Sequence, residues 1–290
     1  MTTPHSSRAF SVVIPAHNEE LGLPGLLRLL VDPPSDALLD IVVVCNGCTD
    51  RTATVAREFG QAIRVVETPV PSKSAALKLG DSVAKYFPRV YVDADVLLDA
   101  KALATLVDAL VGEVEASAPA RVLDTSGSTL LVRMYYRFWQ HLPQVQSGLF
   151  GRGVIALSAG GHERIARLPR VLADDLVVSE AIPVAARQIV ERAEVVIHTP
   201  STWRGLVRRR VRVAVGTSQA EREGLTGGHA RTTRATMLRI VRHDPTLLAD
   251  SLIFAGTAVL ARAAARRQIR KGDFETWQRD DSSRAGSAPV

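Results

Sequence analysis

The segment Val90-Tyr91-Val92-Asp93-Ala94-Asp95 carries the densest chemistry in the chain. A short apolar run ends in two carboxylates at i and i+2. In an extended chain such a pair shares one side. At a strand's carboxyl end the chain turns, which lets the second acid point into a crevice. Two acids held close repel unless a cation lies beside them. A hard divalent ion, Mg²⁺ or Mn²⁺, carrying a diphosphate is the natural partner, because both ions favour carboxylate and phosphate oxygens. Alone, an Asp-x-Asp pair is common and mostly marks solvated loop acids. Its weight comes from the elements that precede it.

Those elements alternate. Phe10–Pro15 is short, β-branched and stopped by proline, and reads as a buried strand. A leucine-rich helix follows Asn18-Glu19-Glu20, over Leu21–Leu30. Asp40–Cys45 is a second buried strand, turned by Asn46-Gly47. Thr49 or Asp50 can cap a helix that runs through Phe59 and ends at Gly60. Ala62–Val66 is a third strand. Ser72 can cap a helix from Lys73 to Phe87, which Pro88 ends, and Arg89–Val92 is the fourth strand, before a helix over Ala100–Val111. This alternation predicts an α/β fold with an open, mostly parallel sheet flanked by helices. Ligands of such sheets bind beyond the carboxyl ends of the strands. The polar residues of interest fall there: Ala16–Glu19, Asn46 and Asp93–Asp95.

The pattern then loosens. Gly112–Ser128 reads as mixed and partly loop, and Leu130–His141 as helix or sheet against the core. Gly148-Leu-Phe-Gly151-Arg-Gly153 is turn-rich, Val154–Leu157 a strand. Ala173-Asp174-Asp175 opens a helix with acids in its first turn, where the helix dipole favours them. Val195–His198 is a late strand, and an Arg-rich helix starts near Trp203. The expected division is a domain over residues 8–215, with halves at 8–112 and 113–215, a basic helical C-terminal extension over 216–279 and a disordered tail over 280–290.

The chain has 290 residues, 46% apolar and 23% charged, the composition of a globular protein with a sizeable core. Two cysteines exclude a disulfide framework. The polar start lacks a secretory apolar core, which predicts a cytoplasmic protein, at most at the inner face of the membrane. From Ser201 onward there are 17 Lys and Arg against 8 Asp and Glu, an excess of nine; with a whole-chain charge of +6, the preceding residues sum to −3. A basic region of this kind can meet phosphates, an anionic acceptor or a membrane surface. No RNA-binding aromatic signature or zinc-finger spacing is present, so nucleic acid is not an expected partner. Leu247–Ala265 is apolar but broken by Asp250 and Arg262, which suits a helix on the core or at a membrane surface better than a spanning one.

Taken in order, Val12–Glu20, Val42–Asp50, Ser72–Lys78, Tyr91–Asp95 and Ala173–Asp175 resemble the family 2 glycosyltransferases, a GT-A-fold group of the nucleotide-diphospho-sugar transferase superfamily. The resemblance covers residues 10 to 215, and the ordered set is more specific than any one member. It implies a metal-dependent, inverting transfer of one sugar from a nucleoside-diphosphate sugar to an acceptor hydroxyl on a lipid, glycan or small molecule. Asn46 departs from the family's usual Asp, although an amide can also read a base edge. The Gln-x-x-Arg-Trp motif and membrane helices of processive synthases are absent from the sequence, which implies single-sugar transfer.

The roles follow from the chemistry. A departing diphosphate gains negative charge and calls for a metal and basic donors. Asp95 is the candidate metal ligand, with Asp93 at the ribose or the ion; as plain structure, both would cap the next helix. Asp175 is the candidate base for the acceptor hydroxyl, with Asp174 second. Lys73 can hold a phosphate. Glu19, Pro15, Ala16 and Asn46 are candidates for the nucleoside, and Arg208, with Arg209 and Arg210, for the diphosphate. His198 is a third metal-ligand candidate that the resemblance permits, although a lone His is more often structural. Cys45-Asn-Gly-Cys48 also has redox spacing, but its flanks match the sugar-transferase turn. Gly148-x-x-Gly151-x-Gly153 is not a dinucleotide fingerprint and is expected to shape the acceptor side. Two rivals stand beside the transferase: a sugar-phosphate nucleotidyltransferase, whose usual Gly-rich basic loop after the first strand is missing, and a non-catalytic basic protein binding membrane or nucleic acid.

Overall fold

The chain begins its regular structure with β1 (Ala9–Ala16), α1 (Leu23–Val31), β2 (Leu38–Asn46), α2 (Thr52–Arg57), β3 (Ile63–Thr68), α3 (Lys73–Val83), β4 (Arg89–Val92) and α4 (Ala100–Asp108). It continues through β5 (Ala116–Asp124), α5 (Leu130–Trp139), α6 (Pro143–Gln146), β6 (Val154–Leu157), α7 (Ala159–Ala166), α8 (Asp175–Ala181) and β7 (Arg187–His198). Three helices close it: α9 (Trp203–Arg222), α10 (Arg234–His243) and α11 (Leu248–Arg270). The computed structural model describes residues 9–31, 38–167, 175–222 and 232–270. Asp174 and the tail after Asp280 lie outside them. By its contacts the chain divides into two units, Met1–Val122 with Leu149–Val196 and Leu123–Gly148 with Ile197–Val290.

In the first unit the sheet has seven strands in the order β3-β2-β1-β4-β6-β5-β7. β3, β2, β1 and β4 run parallel, and β6 is antiparallel to both β4 and β5. The fold is therefore the expected mostly parallel α/β sheet. Ala16 pairs with Cys45 and Val13 with Tyr91. This register brings the exits of β1, β2 and β4 to one edge. β1 and β2 are buried along nearly their whole length, as a strand covered on both faces must be. On one face Val42 and Val44 of β2 pack with Ala76 of α3. Farther along, Ala116, Ala118, Ile155 and Leu157 of the antiparallel strands form a core with Ile165, Val178 and Ile182.

Several boundaries differ by a few residues from the sequence reading, and three of the differences have a clear physical cause. The helix expected to reach Phe87 ends at Val83. There the Lys85 N–H donates to Asp40 Oδ2 at 2.8 Å and the Tyr86 N–H to Ser11 Oγ at 2.9 Å, so these amides serve tertiary contacts and leave the helical ladder. The segment read as mixed contains β5. Its buried end, Ala-Ser-Ala-Pro, has weak strand propensity, and burial against the sheet decides its conformation. β7 starts at Arg187, well before Val195, because its outward positions are charged and hide the alternation.

The second unit is helical where its long elements meet. α11 packs on α5 and α9. Tyr135 and Phe138 each lie 5.2 Å from Phe254, ring centre to ring centre. Asp250, wholly buried, takes a two-pronged ion pair from Arg137, with Nη2 to Oδ1 at 2.9 Å. The indole N–H of Trp203 donates to Thr257 Oγ1 at 3.2 Å. Among the described residues one helical stretch, Pro245–Arg270, is long and apolar enough to cross a membrane by length and composition.

Candidate active site at the carboxyl edge of the sheet

β4 delivers the acid pair. After Val92 the chain leaves the sheet, and the Asp93 N–H donates to Gly153 O at 2.8 Å while the Val96 N–H returns to Asp93 O at 3.1 Å. The result is a tight turn that leaves Asp95 exposed and Asp93 half-buried. Gly153 has φ +69°, and a β-carbon there would meet Val96 Cγ2 at 2.4 Å and Asp93 Oδ2 at 3.6 Å. Only glycine allows this backbone and this approach. The glycine run expected to shape the acceptor side thus also builds the acid turn.

α3 delivers the positive charge. Ser72 caps the helix, its hydroxyl accepting the Ala75 N–H at 3.3 Å. The cap sets Lys73 at the helix start, with its ammonium 2.6 Å from Asp93 Oδ1 and 3.9 Å from Asp175 Oδ1. Asp175 is the first residue of α8. One cavity is lined by Pro15, Lys73, Asp93, Gly153 and Asp175 together with the apolar side chains of Leu77, Ile155, Ile165 and Val178. Burial alone would pull the Lys73 ammonium down, but Asp93, Asp175 and, more weakly, Asp95 outweigh it and hold it above the ordinary lysine value. Three carboxylates around one ammonium leave an excess of two negative charges, which is what one divalent cation neutralises.

Tyr91, which lines the cavity, leads into a polar cluster behind it. The Tyr91 hydroxyl donates to Asp81 Oδ1 at 2.9 Å, and the buried Arg89 donates to the same oxygen at 3.1 Å and to the carbonyls of Tyr86 and Ala84. His162 Nε2 stands 3.4 Å from Asp81 Oδ2. Burial first, then Asp81, pushes the Tyr91 phenol well above its ordinary value, so it stays protonated as a donor. Sequence reading missed this cluster, because its members are far apart in the chain and each is an ordinary residue alone.

The nucleoside-side candidates lie at the exits of β1 and β2. The buried Asn46 amide donates to Ala16 O at 2.9 Å, and His17 Nδ1 lies 2.6 Å from Asn46 O. Asn46 therefore ties the two strand ends together. Gly47, at φ +58°, turns the chain with its N–H on Thr68 O at 2.8 Å. The Glu19 N–H donates to Thr52 Oγ1 at 2.8 Å, and its carboxylate lies close to Gly22. Asp50 accepts the N–H groups of Thr52 at 3.0 Å and Glu20 at 3.1 Å, which joins α2 to the β1 exit. Burial pushes the Cys45 thiol up to about 12, with Cys48 and Glu67 adding to it. A redox cysteine needs the opposite shift, and Cys45 is buried within β2 while the Cys48 thiol donates to Ala16 O at 3.4 Å.

Two candidates belong to the second unit. His198 ends β7, with Nδ1 3.0 Å from Asp124 Oδ2. Arg208 is exposed on α9, while Arg209 and Arg210 are half-buried. Among the described residues no three His, Cys, Asp or Glu side chains gather as a metal cluster. Asp93 and Asp95 still fit a hard cation of the Mg²⁺ or Mn²⁺ kind, because such ions are commonly held by one or two carboxylates and completed by substrate phosphates.

The family model for glycosyl transferase family 2 matches residues 11–162, more than half of the chain. The chain belongs to that family. The match runs from β1 through the acid turn and the glycine run into α7. Among curated relatives, a probable glycosyltransferase, YdaM, of Bacillus subtilis (strain 168) is 34% identical over 42% of this chain and 32% of its own length. A 4,4'-diaponeurosporenoate glycosyltransferase of Staphylococcus haemolyticus (strain JCSC1435) is 34% identical over 32% of this chain and 26% of its own. The chain thus spans about a third or less of these family members. Among solved structures, the mannosyltransferase PcManGT of Pyrobaculum calidifontis superposes with a TM-score of 0.59 at 22% identity, covering 91% of this chain and 79% of that one. That likeness carries the fold.

Proposed function

We propose that this family member is an inverting glycosyltransferase that moves one sugar from a nucleoside-diphosphate sugar to an acceptor hydroxyl, with a divalent cation. The observation that carries the reading is the Lys73 ammonium held between Asp93 and Asp175 in one cavity at the carboxyl edge of the sheet. A sugar donor brings a diphosphate, which would take Lys73 as a donor in place of Asp93. Asp93 and Asp95 would then hold the cation, which when bound supplies charge neutralisation for the departing diphosphate. The Pyrobaculum calidifontis mannosyltransferase is described in complex with GDP-Man and Mn2+, which supports the same class of donor and metal here.

Asp175 acts as the base. The acceptor oxygen attacks the anomeric carbon, the bond to the diphosphate oxygen breaks, and the hydroxyl proton passes to the Asp175 carboxylate. One displacement with one base inverts the anomeric centre. Glu19, Pro15, Ala16 and Asn46 line the nucleoside side; in this reading Asn46 acts chiefly by fixing the β1 and β2 exits. Asp174 is the alternative base, and Arg208 and His198 are secondary candidates for the diphosphate and the metal.

The test is release of nucleoside diphosphate from a panel of nucleotide sugars with Mg²⁺ or Mn²⁺, with the anomer of the product read by NMR. A bound nucleoside diphosphate should also raise the melting temperature in a metal-dependent way. Asp175→Asn and Asp95→Ala are expected to abolish transfer while leaving the melting curve intact. An Asp95→Ala protein that keeps its rate would refute the metal assignment, and a product with retained configuration would refute the single-displacement mechanism.

A further inference from the structure

α10 and α11 of the second unit are built unlike the surface helices of a protein surrounded by water. An ordinary surface helix buries one apolar stripe and shows polar residues outward. α11 has the buried stripe, Asp250, Ser251, Phe254, Thr257, Ala261 and Ala265, against α5 and α9. Its opposite side is also apolar: Leu248 is 56% exposed, Leu252 66%, Val259 63% and Leu260 48%. Ala249, Gly256 and Ala263 lie exposed among them, with Arg262 at the edge of the stripe and Arg266 at its end. α10 is a well-capped helix, with Thr233 Oγ1 accepting the Thr236 N–H at 3.1 Å, yet none of its residues is buried. At about 3.6 residues per turn, Met237, Leu238, Ile240 and Val241 share one side and Arg239, Arg242 and His243 the other. α11 thus presents an apolar side that no described element covers, and α10, which touches α11, adds the exposed Leu238 with Met237, Ile240 and Val241 half-buried beside it.

Charge selects the occupant. The residues of this unit hold 19 Lys and Arg against 9 Asp and Glu, a net charge of +10, while the rest of the chain sums to −4. Apolar stripes flanked by arginine match the boundary between anionic headgroups and acyl chains. We propose that this region docks on an anionic lipid bilayer surface, with Leu248, Leu252, Val259 and Leu260 at the acyl boundary and the arginines of α10 and α11 at the headgroups. α11 lies on the surface and does not cross it. Its inner side is held by the Asp250–Arg137 pair and the Trp203–Thr257 hydrogen bond, and the Arg-rich α9 packed there cannot follow it into hydrocarbon.

The proposal does not rest on the transfer reading. It is tested by sedimenting the full chain with phosphatidylcholine vesicles, with and without phosphatidylglycerol. The expected result is binding to the anionic vesicles, weakened by high salt and released by alkaline carbonate. Leu252→Glu with Val259→Glu should weaken it by about tenfold or more at an unchanged melting temperature, since both side chains are exposed. Absence of vesicle binding, or a double variant that binds as well as the parent, overturns the proposal. So does retention through alkaline carbonate, which would mean a spanning helix. A dimer that the double variant dissolves, without vesicle binding, would assign the stripe to a second copy; binding to DNA alone would assign the charge to nucleic acid.

Discussion

Replacing Gly153 by alanine tests how the acid turn is built. At φ +69° an L-residue costs about 1–2 kcal/mol over glycine. The added methyl would stand 2.4 Å from Val96 Cγ2, more than an ångström inside ordinary contact, and Val96 is buried. Overpacking of this kind adds about 1–3 kcal/mol. The expected loss is therefore about 2–5 kcal/mol, which a domain of ordinary stability survives. Relief would come by moving the turn, and the Asp93 N–H is bonded to Gly153 O, so Asp93 would shift with it. Urea unfolding and the rate of donor consumption measure the two effects. Val96→Ala should remove the clash but leave the backbone term. Gly153→Ala in that background should then cost about 1–3 kcal/mol less than in the parent, with part of the rate restored. A Gly153→Ala protein within about 0.5 kcal/mol of the parent and fully active, or no coupling to Val96, would refute the account.

Three further outcomes are expected. Lys73→Met removes the cation between Asp93 and Asp175 and should raise the KM for a nucleotide sugar by about tenfold or more while donor-free folding persists, read by steady-state kinetics and a melting curve; unchanged kinetics would remove Lys73 from the site. The Cys45 thiol, raised by burial from 9.0 to about 12, stays neutral in the folded chain while the unfolded chain ionises. Stability should fall as pH rises through that window, by up to about 1.4 kcal/mol per unit, and Cys45→Ala should reduce the slope in denaturation curves taken across it. In the second unit Arg137→Met leaves the buried Asp250 carboxylate without its half-exposed partner and should cost about 1–3 kcal/mol, whereas Arg137→Met with Asp250→Leu should recover most of that loss; equal losses in both variants would count against it.

Much of this protein was legible without coordinates, because its information is local. The apolar stretches Val12–Ile14 and Ile41–Cys45, and the short Val90–Val92, lack the alternation of a half-exposed strand, so they read as strands covered on both faces. Their spacing leaves helices between them and forces a parallel sheet. Ser72 before Lys73 is a cap whatever the fold. That the residues after each strand meet on one edge follows from parallel order alone, and it placed Asp93, Asn46 and Ala16 near one another before any distance was known. What required tertiary structure was every relation between residues remote in sequence. The pairing of Lys73 with Asp93 and Asp175 depends on how α8 returns to the sheet. Gly153 acquires its role only because β6 pairs antiparallel beside β4. That the Asn46 amide bonds to Ala16 at the end of the neighbouring strand could be seen only in the fold. Asp250, an interruption in an apolar helix when read in sequence, is the buried partner of Arg137. Propensity and periodicity act over a few residues, whereas burial, ion pairing and close approach are set by chain segments that only folding brings together.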